Sequence, residues 1–241
     1  RVCVHSRWCY PDNVAWAGPR FGANMMLDRS IDEGLSATEL EQLAPIGPMM
    51  YKGFGKAVCE ANGVGPQQAA AVQGDFKNML DALATHFADN DFLLGDRPCL
   101  ADFALAGASK AHFICDPEPE SWLGQHRDML YKYTNQFFGD WQGELAPWPA
   151  DDRVPETLST LLDYLQGSYY QSAPANIAAG LAGEKFYEYD YGFGTTHART
   201  QKRLNVARLH VQDELLKAGA ADNRQVKALF AERGILEYYF A

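Results

Sequence analysis

The sequence has no surplus of basic residues, no long apolar run and no paired cysteine motif, and each gap removes a class of function. Its 21 Lys and Arg are outnumbered by 31 Asp and Glu, giving a formal net charge of −10 and a pI near 5.0. Such a charge repels the phosphates of nucleic acid and an anionic membrane surface, so neither is expected as a partner. The apolar runs fall far short of the about 20 residues that a bilayer span needs. No charged-then-apolar signal pattern opens the chain. Cys3, Cys9, Cys59, Cys99 and Cys115 are scattered, odd in number and without a C-x-x-C pair. That pattern reads as reduced thiols of a cytoplasmic protein rather than a disulfide framework.

Metal and phosphate signatures are missing too. The spacings within Cys3-Val4-His5-Ser6-Arg7-Trp8-Cys9 fit no common zinc or haem site, so no metal is expected. The histidines (His5, His86, His112, His126, His197, His210) form no ligand-spaced pair, and each reads as a surface or satisfied core residue. Gly192-Phe193-Gly194, with Thr195 and Thr196, lacks the lysine of a P-loop and a preceding βαβ unit, so it reads as a turn. Neither Cys3 nor Cys9 carries the flanking pattern of a catalytic nucleophile, and no catalytic residue is assigned.

What the chain does hold is helical periodicity. With 241 residues, 47% of them hydrophobic, it has room for one large or two modest domains. Residues 1–65 read as an irregular, aromatic-rich lead-in with short helices, broken by Pro11, Gly18 and Pro19. Ser36 caps a short helix to Leu43, with Glu39 completing a capping box. Helix is expected again over Met49 to Ala61. From Pro66 the stripe Val72, Phe76, Met79, Leu80, Leu83, Phe87 predicts a long helix. Further helices are expected over Ser121–Phe138, from Pro155 to Tyr169, over Ala198–Lys217 (with apolar residues on two faces, hence deeply packed) and over Asp222–Arg233. No set of sheet-forming strands stands out, so the class is all-α.

The chain is organised around Asn90 to Gly107. A loop closed by Gly95 and Pro98 leads into a helix for which Cys99 is the N-cap, and Asp102 stands where its carboxylate reaches back to the cap's N–H. Small residues follow (Ala101, Ala104, Ala106, Gly107, Ala108, Ala111), which predicts a helix surrounded by others. A thiol cap is a weaker hydrogen-bond partner than a hydroxyl.

Leu93-Leu94-Gly95-Asp96-Arg97-Pro98-Cys99-Leu100-Ala101-Asp102-Phe103 resembles the loop-and-helix signature of the C-terminal helical domain of glutathione transferases. The flanking helices match that domain's order, so the resemblance covers residues 66–138, and residues 139–241 are read as additional helices packed on it. It implies a helical bundle with N- and C-terminal extensions, with Cys99 and Asp102 as structural capping residues. It further implies a wall for a small hydrophobic electrophile and part of a homodimer interface. Glutathione, on this resemblance, is bound by a thioredoxin-like N-terminal domain. Residues 1–65 show no βαβ pattern and no Glu/Gln-Ser pair for the γ-glutamyl group, and the sequence opens at Arg1, so that domain is expected to be absent and this chain alone not catalytically competent. Trp8, Tyr10, Trp16, Phe186, Tyr189 and Tyr191 are the candidate pocket aromatics. The alternative is a non-enzymatic interaction module or a binder of apolar ligands.

Overall fold

The computed structural model describes residues 1–30, 33–139, 144–148, 155–190 and 195–240. They divide into two units, Arg1–Leu158 and Ser159–Ala241. The segments 1–65 and 66–138 both lie in the first. The architecture is all-α, as the apolar periodicity predicts, apart from one two-stranded hairpin in the second unit.

The first unit opens with α1 (Val2–Trp8) and α2 (Pro11–Leu27). Pro11 starts α2 rather than breaking the chain, because a first-turn proline lacks an N–H that has no helical partner anyway. Pro19 sits inside the same helix, where it forfeits one main-chain bond. Its neighbour Gly18 explains why the helix persists. A Cβ built on Gly18 would lie 2.3 Å from the Gly47 Cα, so two backbones touch there and the contact offsets the defect. Helices α3 (Ala37–Leu43), α4 (Ile46–Met50) and α5 (Lys56–Ala61) follow, with a π turn over Tyr51–Gly55 between the last two. The Ser36–Glu39 capping box is present: Ser36 N–H donates to Glu39 Oε2 at 2.7 Å and Glu39 N–H donates to Ser36 Oγ at 3.3 Å.

A short 3-10 turn at Pro66–Gln68 leads into α6 (Ala69–Phe87), whose Val72, Phe76, Leu80 and Leu83 are all buried. Next come α7 (Leu100–Ala108), continued by a π turn to Phe113, then α8 (Pro117–Ser121) and α9 (Arg127–Asn135). The expected single helix over 121–138 is interrupted, because Gly124 takes φ +50 and a 3-10 turn re-aims the chain. Phe76 centres the core, with ring centroids 4.9 Å from Phe113 and 6.1 Å from Trp122.

The second unit holds α10 (Leu158–Gly167), α11 (Tyr169–Leu181), strands β1 (Phe186–Asp190) and β2 (Thr195–Arg199), and helices α12 (Lys202–Lys217), α13 (Arg224–Glu232) and α14 (Leu236–Phe240). The strands pair antiparallel, with Tyr187 opposite Ala198 and Tyr189 opposite Thr196 on the more buried face. That alternation was hidden inside what reads as an aromatic run. The Gly192-Phe193-Gly194 turn lies outside the described residues. Helix α12 starts later than expected, because Ala198 belongs to β2, and it buries no residue: Val206, Leu209 and Leu216 are exposed. Two phenol pairs, Tyr169 with Tyr238 and Tyr170 with Tyr239, each 3.3 Å between oxygens, join α14 to α11.

Candidate functional site

The best-built polar arrangement stands at the start of α7. Asp102 is fully buried, and its carboxylate accepts three hydrogen bonds. Oδ2 takes the Cys99 N–H at 2.8 Å, while Oδ1 takes the Leu93 N–H at 2.8 Å and the Tyr133 O–H at 3.0 Å. The Cys99 bond satisfies a helix-start donor and sets the carboxylate at the positive end of the helix. The other two bonds tie loop 88–99 and α9 to the same side chain. Burial, and then the Asp102 charge, push the Tyr133 hydroxyl well above its ordinary value, so it holds its proton and donates. Burial also pushes the Cys99 thiol up.

The loop has a second anchor one residue earlier. His86, fully buried, places Nε2 3.1 Å from the Phe92 carbonyl and Nδ1 3.0 Å from the Thr157 hydroxyl. Since a carbonyl only accepts, Nε2 carries the hydrogen. Phe92 and Gly95 bond each other in both directions, at 2.9 and 3.1 Å, which the φ of +102 at Gly95 permits. Consecutive residues Phe92 and Leu93 are therefore held from two helices.

Beside this hub lies a cleft of about 110 Å³, lined by Phe87, Asn90, Met129, Lys132, Tyr133 and Gln136 among others. Two of the lining rings, Phe87 and Tyr133, stack with centroids 4.3 Å apart. The volume is well below the roughly 300–1,000 Å³ of a small-molecule pocket. A larger feature is the outer face of α7. Leu100 and Phe103 are 85% and 56% exposed, Ala104 and Gly107 are exposed between and after them, and Phe103 meets the Phe137 ring at 5.2 Å. The helix expected to be surrounded by others thus shows one apolar side to solvent; its buried residues are Asp102 and Ala106. Small side chains gave no means of telling close helix packing from an open apolar face.

The sequence-nominated aromatics sit as follows. Trp8 is buried edge-on to Phe54, at 5.5 Å, in a cluster with Val14 and Cys59. Tyr10 is half-buried between His5 and Trp122, and its hydroxyl accepts from Gln73 at 2.9 Å. Trp16 is half-buried and carries the Arg20 guanidinium 4.3 Å over its ring. In the second unit, Phe186 is exposed and stacked on His197, and Tyr189 is buried beside Tyr187. Tyr191 lies outside the described residues. Within the first unit, Trp8, Tyr10 and Trp16 have separate ring and cation partners.

With that geometry in view, the chain was compared with known proteins. Residues 66–108 match the glutathione S-transferase C-terminal domain. The match takes in α6, the anchored loop with its glycine, and all of α7, so Asp102 and its Cys99 and Leu93 donors fall within the part that carries the glutathione-transferase likeness, while Tyr133 lies beyond it. No curated protein and no solved structure gives a significant match. Among the described residues no helix is long and apolar enough to cross a membrane, and no cluster of three metal-ligating side chains occurs.

Several consequential residues were out of reach of sequence reasoning. Tyr133 and His86 complete the loop's anchoring from helices on either side. Arg7 and Asp116, 109 residues apart, form a buried ion pair in which Arg7 Nε donates to Asp116 Oδ2 at 2.9 Å and the second guanidinium nitrogen reaches Oδ1 and the Ala111 carbonyl. No local signal marks such a pair.

Proposed function

We propose that this chain acts as a glutathione-transferase-type helical domain that offers one apolar wall to a small hydrophobic electrophile. Glutathione, in this reading, is held by a thioredoxin-like domain that is not among these residues, and the transferase chemistry belongs to the two together. A homodimer and a cytoplasmic location are part of the same proposal, carried over from the family likeness. Residues 66–138 form the family core, preceded by 1–65 and extended by 139–241. Cys99 and Asp102 act in it as structural caps that hold the wall in place. Trp8, Tyr10 and Trp16 in the first unit, and Phe186, Tyr189 and Tyr191 in the second, are kept as candidate apolar-contact residues, each within its own unit.

The observation that carries the proposal is the exposed apolar face of α7, with Leu100 and Phe103 at its centre, on a helix inside the matched segment. Apolar surface concentrated on one helix costs solubility and persists where it meets a ligand or a partner. Titration with the fluorescent apolar probe anilinonaphthalene sulfonate tests it. Saturable binding is expected, weakened at least several-fold in the double variant Leu100→Gln, Phe103→Ser with unchanged circular dichroism. Binding that ignores those substitutions would sink the assignment of the wall to α7.

A further inference from the structure

The five cysteines are all thiols, and two of them meet. Cys9, which follows α1, and Cys59, within α5, bring their sulfurs to 3.8 Å across 50 residues of chain. Neither is on the Asp102 hub or on the α7 face. Their surroundings are dry on one side, where Trp8 and Val14 are buried and Val4, Met50 and Tyr51 pack against them. The π turn ahead of α5 approaches closely because Gly55 has no side chain: a Cβ there would lie 2.6 Å from the Trp8 ring. Cys59 is 6% exposed, whereas Cys9 is partly open to solvent.

We propose that Cys9 and Cys59 form a peroxide-sensitive dithiol site, with Cys59 as the attacking sulfur and Cys9 as the resolving one. Hydrogen peroxide is the oxidant class that fits, being small enough to reach a nearly buried sulfur that a glutathione disulfide could not approach. In the first step the Cys59 thiolate attacks one peroxide oxygen; an S–O bond forms, the O–O bond breaks, and the departing hydroxide takes up a proton to leave as water. In the second, Cys9 Sγ attacks Cys59 Sγ; the S–S bond forms, the S–O bond breaks, and the Cys9 proton leaves with that oxygen as a second water. Two thiols lose two electrons and one peroxide gains them. Closing the bond requires the sulfurs to approach by roughly 1.8 Å from their 3.8 Å contact, since a disulfide is about 2 Å long.

The assignment of roles follows from the shared hydrogen. Either sulfur can donate in that contact; with the Cys9 S–H as the donor, it pushes the Cys59 thiol down, against the opposing effects of burial and of neighbouring Glu60. The same contact, with burial, pushes Cys9 up. Thiolate character decides which sulfur reacts first. Cys3 and Cys99 are both pushed up by burial, which sets Cys59 apart from them.

The test treats the full chain with hydrogen peroxide, unfolds it, alkylates the remaining thiols and maps the peptides. The expected product has lost two hydrogen atoms in intact mass, links the Cys9 and Cys59 peptides, and reverts with dithiothreitol. In Cys9→Ala the sulfenic acid on Cys59 is expected to persist and be trapped by dimedone, while Cys59→Ala leaves Cys9 unlabelled. Should either variant fail to fold, the parent map decides alone. The proposal is overturned if Cys9 and Cys59 are alkylated as thiols after an exposure that oxidises Cys3, Cys99 or Cys115. It is overturned equally if the disulfide joins a different pair or forms only between chains.

Discussion

Asp102 and Asp116 are both fully buried carboxylates in the first unit, yet they are accommodated by opposite means. Asp102 is surrounded by neutral donors, two of them backbone N–H groups three and nine residues away, the third the Tyr133 hydroxyl. Asp116 instead faces the Arg7 guanidinium, with His112 Nδ1 at 3.6 Å from its Oδ2. A ring of dipoles can hold one carboxylate without burying a second charge. An ion pair buries two, and the desolvation cost nearly cancels the attraction. The first arrangement organises a loop and a helix start; the second latches α1 to the π turn after α7 and to the start of α8.

The two modes respond differently to substitution. The largest effect is expected for Asp116→Ala, which leaves Arg7 buried and unpaired and should cost about 3–5 kcal/mol in urea unfolding. The double variant Arg7→Met, Asp116→Leu should recover most of that loss, ending within about 1 kcal/mol of the parent or above it. A double variant as unstable as the single one would show that the pair does more than neutralise itself. Asp102→Ala should cost about 2–4 kcal/mol, because three buried donors lose their acceptor, and no partner substitution should rescue it. Tyr133→Phe removes one of the three and should cost about 1 kcal/mol, leaving the loop in place.

The smaller predictions concern the helix start and the neighbour of Arg7. Cys99→Ser replaces a weak cap with a strong one and should stabilise by a few tenths to about 1 kcal/mol. His5, buried two residues before Arg7, has its ring pushed below its ordinary 6.5 by burial, against a bond to the Gly65 carbonyl. The unfolded chain therefore binds a proton that the folded chain resists. Stability should be fully present above about pH 6.5 and fall as pH drops toward the lowered folded value. A His5→Phe variant should flatten that part of the profile, and an unchanged slope would remove His5 from the account.

How far each region could be read from the residues follows the same division. The apolar stripe of α6, the Ser36 cap and the Asp102 bond to the Cys99 N–H are set by neighbours within a turn or two, and spacing reveals them. The family likeness rests on that same local stretch. Arg7–Asp116, Cys9–Cys59 and the Gly18–Gly47 crossing join residues far apart in the chain, and nothing local encodes their meeting. Pro19 within α2 shows the converse, a strong local breaker overruled by a tertiary contact. The hairpin and the exposed side of α12 were misread for a third reason. Aromatic alternation can be taken for a run, and an apolar helix face announces burial whether or not anything covers it.

One buried carboxylate, Asp102, fixes the loop and thereby presents the apolar side of α7. Hydrogen exchange at the Leu93 and Cys99 amides tests it most directly, since both donate to Asp102 and neither belongs to the interior of a helix. Both amides should exchange as slowly as those of the α6 core and become fast in Asp102→Ala, while α1 amides stay protected. Rapid exchange of Leu93 and Cys99 in the parent chain, at the rate of open loop residues, would contradict it.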